Sequence, residues 1–151
     1  MLKIVSGGQT GVDRAALDVA LELGIPIGGW CPLGRIAEDG TIPPEYTLIE
    51  TSSKKYPIRT RFNVRDSDAT LVFSEGPLRG GSALTIEFAK RERKPFLHVD
   101  SSFHEIAGAV ETVYVWLLKE KPGILNVAGP RLSEAPKVAK FAKSVLRLVL
   151  I

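Results

Sequence analysis

Residues 2–23 of the chain are LKIVSGGQTGVDRAALDVALEL, and this stretch decides the fold class. The apolar run at residues 2–5 predicts a short strand, and residues 11–23 predict a helix. The apolar residues of the helical part recur at helical spacing, at Ala16, Leu17, Ala20 and Leu21. Between strand and helix lies the glycine loop at residues 7–11. A strand, a glycine loop and a helix in this order are typical of a βα unit in a parallel sheet.

The same alternation continues along the chain. Five further strands are predicted at residues 25–27, 46–50, 69–74, 95–99 and 124–127, and further helices at 58–67, 82–93, 105–119 and from Ser133 onward. Residues 28–44 have no clean period and predict a long ordered loop. These elements predict an α/β fold, a Rossmann-like three-layer αβα arrangement with a mostly parallel sheet of about six strands. The length predicts a single domain over residues 1–151.

The composition excludes several classes of protein. Among the 151 residues, 44% are hydrophobic and 25% are charged, which is typical of a globular protein. The net charge of +3 suits an anionic ligand, but without a basic stripe it does not predict nucleic-acid binding. A single cysteine, Cys31, excludes an internal disulfide and a cysteine-rich metal site. No segment resembles a signal peptide or a membrane span, so we expect a cytoplasmic protein with no membrane partner.

Three loops follow predicted strands directly and precede predicted helices, at residues 7–11, 74–81 and 126–133. In an open parallel sheet, all loops that leave the carboxyl ends of the strands lie along one edge, where ligands bind. The three loops are rich in Gly, Ser, Thr and Arg. The sequence therefore predicts that they converge on one site.

These loops have the chemistry of an anion site. Glycine lets backbone N–H groups approach a phosphate closely, and a following helix adds its unpaired N–H groups. Arginine adds a planar fork of donors. The predicted ligand-binding residues are Gly7, Gly8, Gln9, Thr10 and Gly11, then Gly76, Arg79, Gly80, Gly81, Ser82 and Thr85, then Asn126, Gly129 and Arg131. The alternative for the first loop is a tight βα turn in which Thr10 and Asp13 only cap the helix.

Several other polar residues have two interpretations. Glu87 is either a carboxylate that faces the ligand or one favoured by the start of its helix. Arg59, Asn63 and Asp66 share one helical face, directed toward the site or toward water. Glu38 and Asp39 could hold a metal ion, but a solvated turn is the commoner arrangement, and we predict no metal ligands.

Four segments of the chain, residues 7–14, 29–40, 59–68 and 126–131, resemble in this order segments of the putative molybdenum carrier family. The resemblance implies a Rossmann-like fold related to the lysine-decarboxylase-like, nucleotide-sensing superfamily. Members studied as carriers bind molybdenum cofactor, a phosphorylated pterin, without transforming it, and form oligomers. The resemblance therefore implies molybdenum cofactor or a nucleotide as ligand, a homo-oligomer (dimer or tetramer), and Arg35 as a further ligand-binding residue.

The wider superfamily also includes phosphoribohydrolases, whose motif is Pro-Gly-Gly-x-Gly-Thr-x-x-Glu. Residues 79–87, RGGSALTIE, resemble a looser form, with the glycine pair and Glu87 at the same spacing. Arg79 replaces the proline, Ala83 replaces the third glycine, and Thr85 lies one place late. Two functions follow: a carrier, storage or sensor protein, and a hydrolase that cleaves an N-glycosidic bond with Glu87 as catalytic carboxylate. The departures from the motif favour the non-catalytic binding protein.

Overall fold

The structure, a computed structural model, describes all residues from 1 to 151. In chain order its elements are β1 (Lys3–Val5), α1 (Val12–Glu22), β2 (Ile27–Gly28), β3 (Trp30–Cys31), β4 (Ile36–Ala37), β5 (Gly40–Thr41), β6 (Ile49–Glu50), α2 (Tyr56–Arg65), β7 (Ala69–Ser74), α3 (Gly80–Arg91), β8 (Phe96–Asp100), α4 (Ile106–Glu120), β9 (Ile124–Ala128) and α5 (Pro136–Val149). The predicted alternation of strands and helices is confirmed.

The main sheet has five parallel strands in the order β2-β1-β9-β7-β8. The last strand in sequence, β9, lies in the middle, with Ile4 beside Leu125 on one side and Leu71 beside Val127 on the other. All six residues of β7 are buried, which fits a strand that is paired on both edges and covered on both faces. The α/β class is confirmed, with five strands in the main sheet instead of about six.

The missing strand is the one predicted at residues 46–50. Only β6 is extended there, and it pairs with β3 in a separate two-stranded sheet. Tyr46 itself lies in a bend, and its N–H donates to the carbonyl of Pro43 at 3.2 Å. Ile49 is 60% exposed, so it does not contribute the apolar face that would attach this segment to the main sheet.

The buried apolar residues form three clusters, and two of them hold the layers together. The larger one lies between the sheet and the helices α1, α4 and α5. Phe73 of β7 is fully buried in it and meets Phe141 of α5 edge to face, with ring centroids 6.3 Å apart. The smaller one joins α2 and α3 through Val64, Phe88 and Ala89. The two helices therefore form a layer with its own packing.

The side-chain caps expected at two helix starts are absent. Helix α1 follows Gly11 and has no side-chain cap, because the hydroxyl of Thr10 bonds to Glu38. Helix α5 begins at Pro136, after Ala135, so Ser133 does not cap it. The hydroxyl of Ser133 also bonds to Glu38. In both places a contact with the distant loop replaces the local cap that the spacing indicated.

The long loop predicted at residues 28–44 is ordered around one arginine. Arg35 has a left-handed backbone, with φ of 53°. Its guanidinium donates to the carbonyls of Pro43 at 2.8 Å and Tyr46 at 2.7 Å. The short hairpin formed by β4 and β5 lies within this loop. None of the five helices is long and apolar enough to span a bilayer.

Candidate ligand-binding site

The strand order explains why three loops meet. Strands β1, β9 and β7 are neighbours, so the segments after their carboxyl ends lie side by side. A cavity of about 70 Å³ opens at this edge of the sheet. The predicted residues that line it are Gly7, Gln9, Arg79, Gly81, Ser82, Thr85, Asn126, Gly129 and Arg131. The convergence inferred from the sequence is therefore present in the structure.

Six predicted residues do not line this cavity: Gly8, Thr10, Gly11, Arg35, Gly76 and Gly80. Gly11 shows the reason most clearly. Its φ is +86°, and a Cβ on it would lie 2.5 Å from the carbonyl oxygen of Pro130. Its lack of a side chain lets the first and third loops touch. Arg35 lies elsewhere because its donors are bound to the carbonyls of its own loop.

Helix α2 supplies cavity residues that the loop pattern did not identify, chiefly Arg59, Thr60 and Asn63. The face shared by Arg59 and Asn63 is thus directed toward the site, one of the two orientations that the spacing left open. Asp66, the residue that follows the helix, lies outside the cavity and accepts a hydrogen bond from the indole N–H of Trp30 at 2.8 Å.

Arg59 is the most buried cation of the site. Its side chain is 11% exposed, and its Nη1 donates to the carbonyl of Gly7 at 2.9 Å. The same nitrogen lies 4.0 Å from Oδ2 of Asp13. Arg131 makes an ion pair with Glu134 at 2.9 Å, and Arg79 is exposed at the start of α3. Three arginines therefore surround the cavity, together with the carboxyl groups of Asp13 and Glu134.

Asp13 is a buried carboxyl group in the cavity wall. Burial raises its pKa above the ordinary value of 3.8, and the nearby charge of Arg59 opposes that rise. The N–H of Gln9 also donates to Asp13, at 3.2 Å. The amide oxygen of Gln9 accepts from the backbone N–H groups of Thr10 at 3.0 Å and Glu38 at 2.9 Å, while its Nε2 is buried without a partner.

Glu38 connects the β4–β5 hairpin to two of the loops. Its carboxylate accepts hydrogen bonds from the hydroxyls of Ser133 and Thr10, and from the N–H of Ser133 at 3.2 Å. The bonds from Ser133 and Thr10 lower its pKa. Asp39 pairs with both terminal nitrogens of Arg14, at 2.5 and 2.8 Å. Glu38 and Asp39 lie in an exposed turn, the commoner of the two arrangements considered, and their carboxylates fasten this hairpin to the site.

Several residues of the neighbouring elements lie away from the cavity. Glu87 is exposed and does not line it. Trp30 packs edge to face on Phe62, with centroids 5.2 Å apart, and does not line it either. Cys31 is fully buried, and burial raises the pKa of its thiol. His98 bonds to the hydroxyl of Ser74 at 2.6 Å.

A second cleft of about 660 Å³ lies between α1, α5 and the hairpin. Thr10 and Gly11 line this cleft, whereas Gly7 and Gln9 line the smaller cavity, so the first glycine loop lies between the two. The charges of the cleft are largely matched, because Arg14 pairs with Asp39, and Lys143 lies 3.8 Å from Asp18. The smaller cavity has the higher proportion of arginine and is the better candidate for an anion.

A parallel α/β sheet with glycine loops gathered at its carboxyl edge defines a Rossmann-like protein. The chain belongs to the Circularly permutated YpsA SLOG family, whose profile matches residues 4–150. It is also similar to a "Putative molybdenum carrier protein" from Syntrophus aciditrophicus SB, known from a crystal structure. The identity is 45% over all of this chain and 96% of that one, with a TM-score of 0.97. The resemblance recognised in the sequence is confirmed. A search of curated proteins gave no match.

Proposed function

We propose that the protein binds a phosphorylated small molecule, with the phosphate in the 70 Å³ cavity, and carries, stores or senses that molecule. The observation that carries the proposal is the meeting of Arg59, Arg79 and Arg131 around one polar cavity. Guanidinium groups bind phosphate oxygens in pairs of parallel hydrogen bonds. The first turn of α3, with Gly81 and Ser82 at the cavity, adds the positive end of a helix.

The size of the cavity supports a ligand whose phosphate lies inside it and whose organic part lies outside. Sites that enclose a whole drug-sized molecule have volumes of about 300–1,000 Å³. A space of about 70 Å³ is of the size of a phosphate group, and the cavity is open to solvent on its outer side. The organic part of the ligand then lies outside the arginine cavity.

Molybdenum cofactor or a nucleotide is the proposed ligand. The name of the Syntrophus protein supports the first, because it describes a molybdenum carrier. The donors around the cavity fit the phosphate end of such a cofactor.

Hydrolysis of an N-glycosidic bond is not favoured. That reaction requires a carboxylate held close to the sugar. The residue expected to supply it, Glu87, is exposed, and residues 79–87 depart from the hydrolase motif at the proline and at the third glycine. Incubation with a panel of nucleoside monophosphates tests this directly. We expect no released base. Sustained release that disappears in Glu87→Gln would contradict the binding-protein proposal.

The proposal is tested by identifying the ligand that co-purifies with the native protein, using mass spectrometry. We expect a phosphorylated heterocycle, and we expect Arg79→Ala to weaken its binding with little loss of stability, because Arg79 is exposed. If neither molybdenum cofactor nor any nucleotide shifts the melting temperature, the proposal is wrong.

We further propose that the protein acts as a cytoplasmic homo-oligomer, either a dimer or a tetramer. Exposed apolar side chains on α4 support association between copies, since Tyr114, Val115 and Leu118 are each more than half exposed. Light scattering after size-exclusion chromatography would measure the mass. A mass of a single 16.4 kDa chain would contradict association.

A further inference from the structure

Tyr56, the first residue of α2, lies beside two of the cavity arginines without lining the cavity itself. The guanidinium carbon of Arg59 is 5.1 Å from the centroid of its ring, and that of Arg131 is 5.6 Å away. Arg59 comes from the same helix, whereas Arg131 comes from the loop before α5. One aromatic ring thus contacts cations from two different elements.

We propose that Tyr56 is a positioning residue that holds Arg59 and Arg131 together for binding a phosphate dianion. Two guanidinium groups repel each other when no anion lies between them. The negative face of an aromatic ring attracts each of them, and this attraction acts within about 6 Å of the ring centroid. The ring therefore gives both arginines a common partner before the ligand arrives.

Apart from the ring of Tyr56, the two arginines have few contacts that would fix their positions. Arg59 is also held by the carbonyl of Gly7 at 2.9 Å. Arg131 has only the ion pair with Glu134, and the side chains of that pair are 37% and 58% exposed. Exposed ion pairs constrain a side chain weakly. Removal of the ring thus releases Arg131 more than Arg59.

This inference rests on the proposed function, since it assigns a role within the same anion site. The experiment is a calorimetric titration of the full chain with inorganic phosphate at fixed pH and low salt. We expect Tyr56→Leu to weaken binding about tenfold, the size expected for one or two cation–π contacts. Tyr56→Phe keeps the ring, and we expect its affinity to stay within about twofold of the unmodified chain.

Helix α2 offers a matched control. Phe62 also contacts two arginines, with Arg65 at 4.1 Å and Arg61 at 5.4 Å from its ring centroid. None of these three residues lines the cavity. Phe62→Leu therefore removes an equivalent ring from the same helix, and we expect phosphate affinity to be unchanged. Equal losses in Tyr56→Leu and Phe62→Leu would show a general disturbance of the helix and overturn the inference.

A double-mutant cycle separates positioning from simple structural support. In the Arg131→Ala background, Tyr56→Leu should weaken binding by clearly less than tenfold, because one of its partners is already absent. The full tenfold effect in that background would contradict a role through Arg131. If the unmodified chain does not bind phosphate, the proposed function itself fails. If it binds phosphate and Tyr56→Leu binds equally well, only the positioning role fails.

Discussion

Replacement of Arg59 with alanine tests how the charges of the cavity are balanced. Arg59 donates to the carbonyl of Gly7 at 2.9 Å, and its side chain is only 11% exposed. Hydrogen bonds from a charged group contribute about 1.5–3 kcal/mol to stability. Because solvent screens this bond little, we expect Arg59→Ala to lower the free energy of unfolding by about 2–3 kcal/mol at pH 7.

The pH dependence of this loss identifies the second partner, Asp13. Burial already raises the pKa of Asp13, and removal of Arg59 takes away the charge that opposes the rise. A carboxyl group whose pKa is higher in the folded than in the unfolded state destabilises the fold as the pH rises. This loss begins near the ordinary pKa of 3.8 and is complete above the pKa of the folded state. The deficit of Arg59→Ala should therefore be largest near neutral pH and should shrink as the pH falls and Asp13 takes up a proton.

Urea unfolding over a pH series measures this deficit. In the Asp13→Asn background, we expect Arg59→Ala to lose most of the pH dependence of its effect. Arg79→Ala is the control, since Arg79 is exposed and should change the unfolding free energy by less than about 0.5 kcal/mol. An Arg59→Ala deficit below 0.5 kcal/mol at pH 7, or one that is the same at every pH, would refute this account of the cavity.

Three further predictions concern the frame of the site. Phe73→Ala should cost about 3–5 kcal/mol in denaturant unfolding, because the ring is fully buried; a loss below about 1 kcal/mol would contradict its place in the core. In the same assay, Gly11→Ala should lower the free energy of unfolding more than Gly24→Ala. Both glycines have a positive φ, but only Gly11 has backbone atoms within 4 Å of the added Cβ. Equal losses would show that the first and third loops separate freely. Hydrogen bonds from Arg65 and Trp30 lower the pKa of Asp66 to about 2. Above about pH 4, Asp66 should therefore stabilise the chain relative to Asp66→Asn, by less than about 1 kcal/mol because the side chain is half exposed. This advantage should vanish as the pH falls to about 2, and a difference that is constant with pH would be contrary evidence.

Local patterns predicted the βα units well. The glycine loop after β1 and the apolar stripe of α1 are adjacent in sequence, so their periodicity was sufficient to identify both. The strand order was not predictable in the same way. Strand β9 pairs with β1 and β7 through residues more than 50 positions apart in the sequence. The spacing of residues within one segment carries no information about such a pairing.

The candidate site was predicted in part, for a related reason. Residues such as Arg79 and Gly129 follow strands directly, so the topology of a parallel sheet brings them to the edge. Arg59 and Tyr56 come from a helix whose orientation depends on tertiary packing, so the spacing of Arg59 and Asn63 indicated a shared face without its direction. The path of the long loop was also hidden, because it depends on the bonds of Arg35 to carbonyls up to 13 residues away.

The central claim is that the phosphate of the ligand lies in the arginine cavity. A crystal structure of the protein with a bound nucleoside monophosphate tests it most directly, because it gives the position of the phosphorus atom. We expect the phosphoryl oxygens within hydrogen-bonding distance of the guanidinium groups of Arg59, Arg79 and Arg131. A phosphate bound instead in the larger cleft, beside Lys140 and Lys143, would contradict the claim.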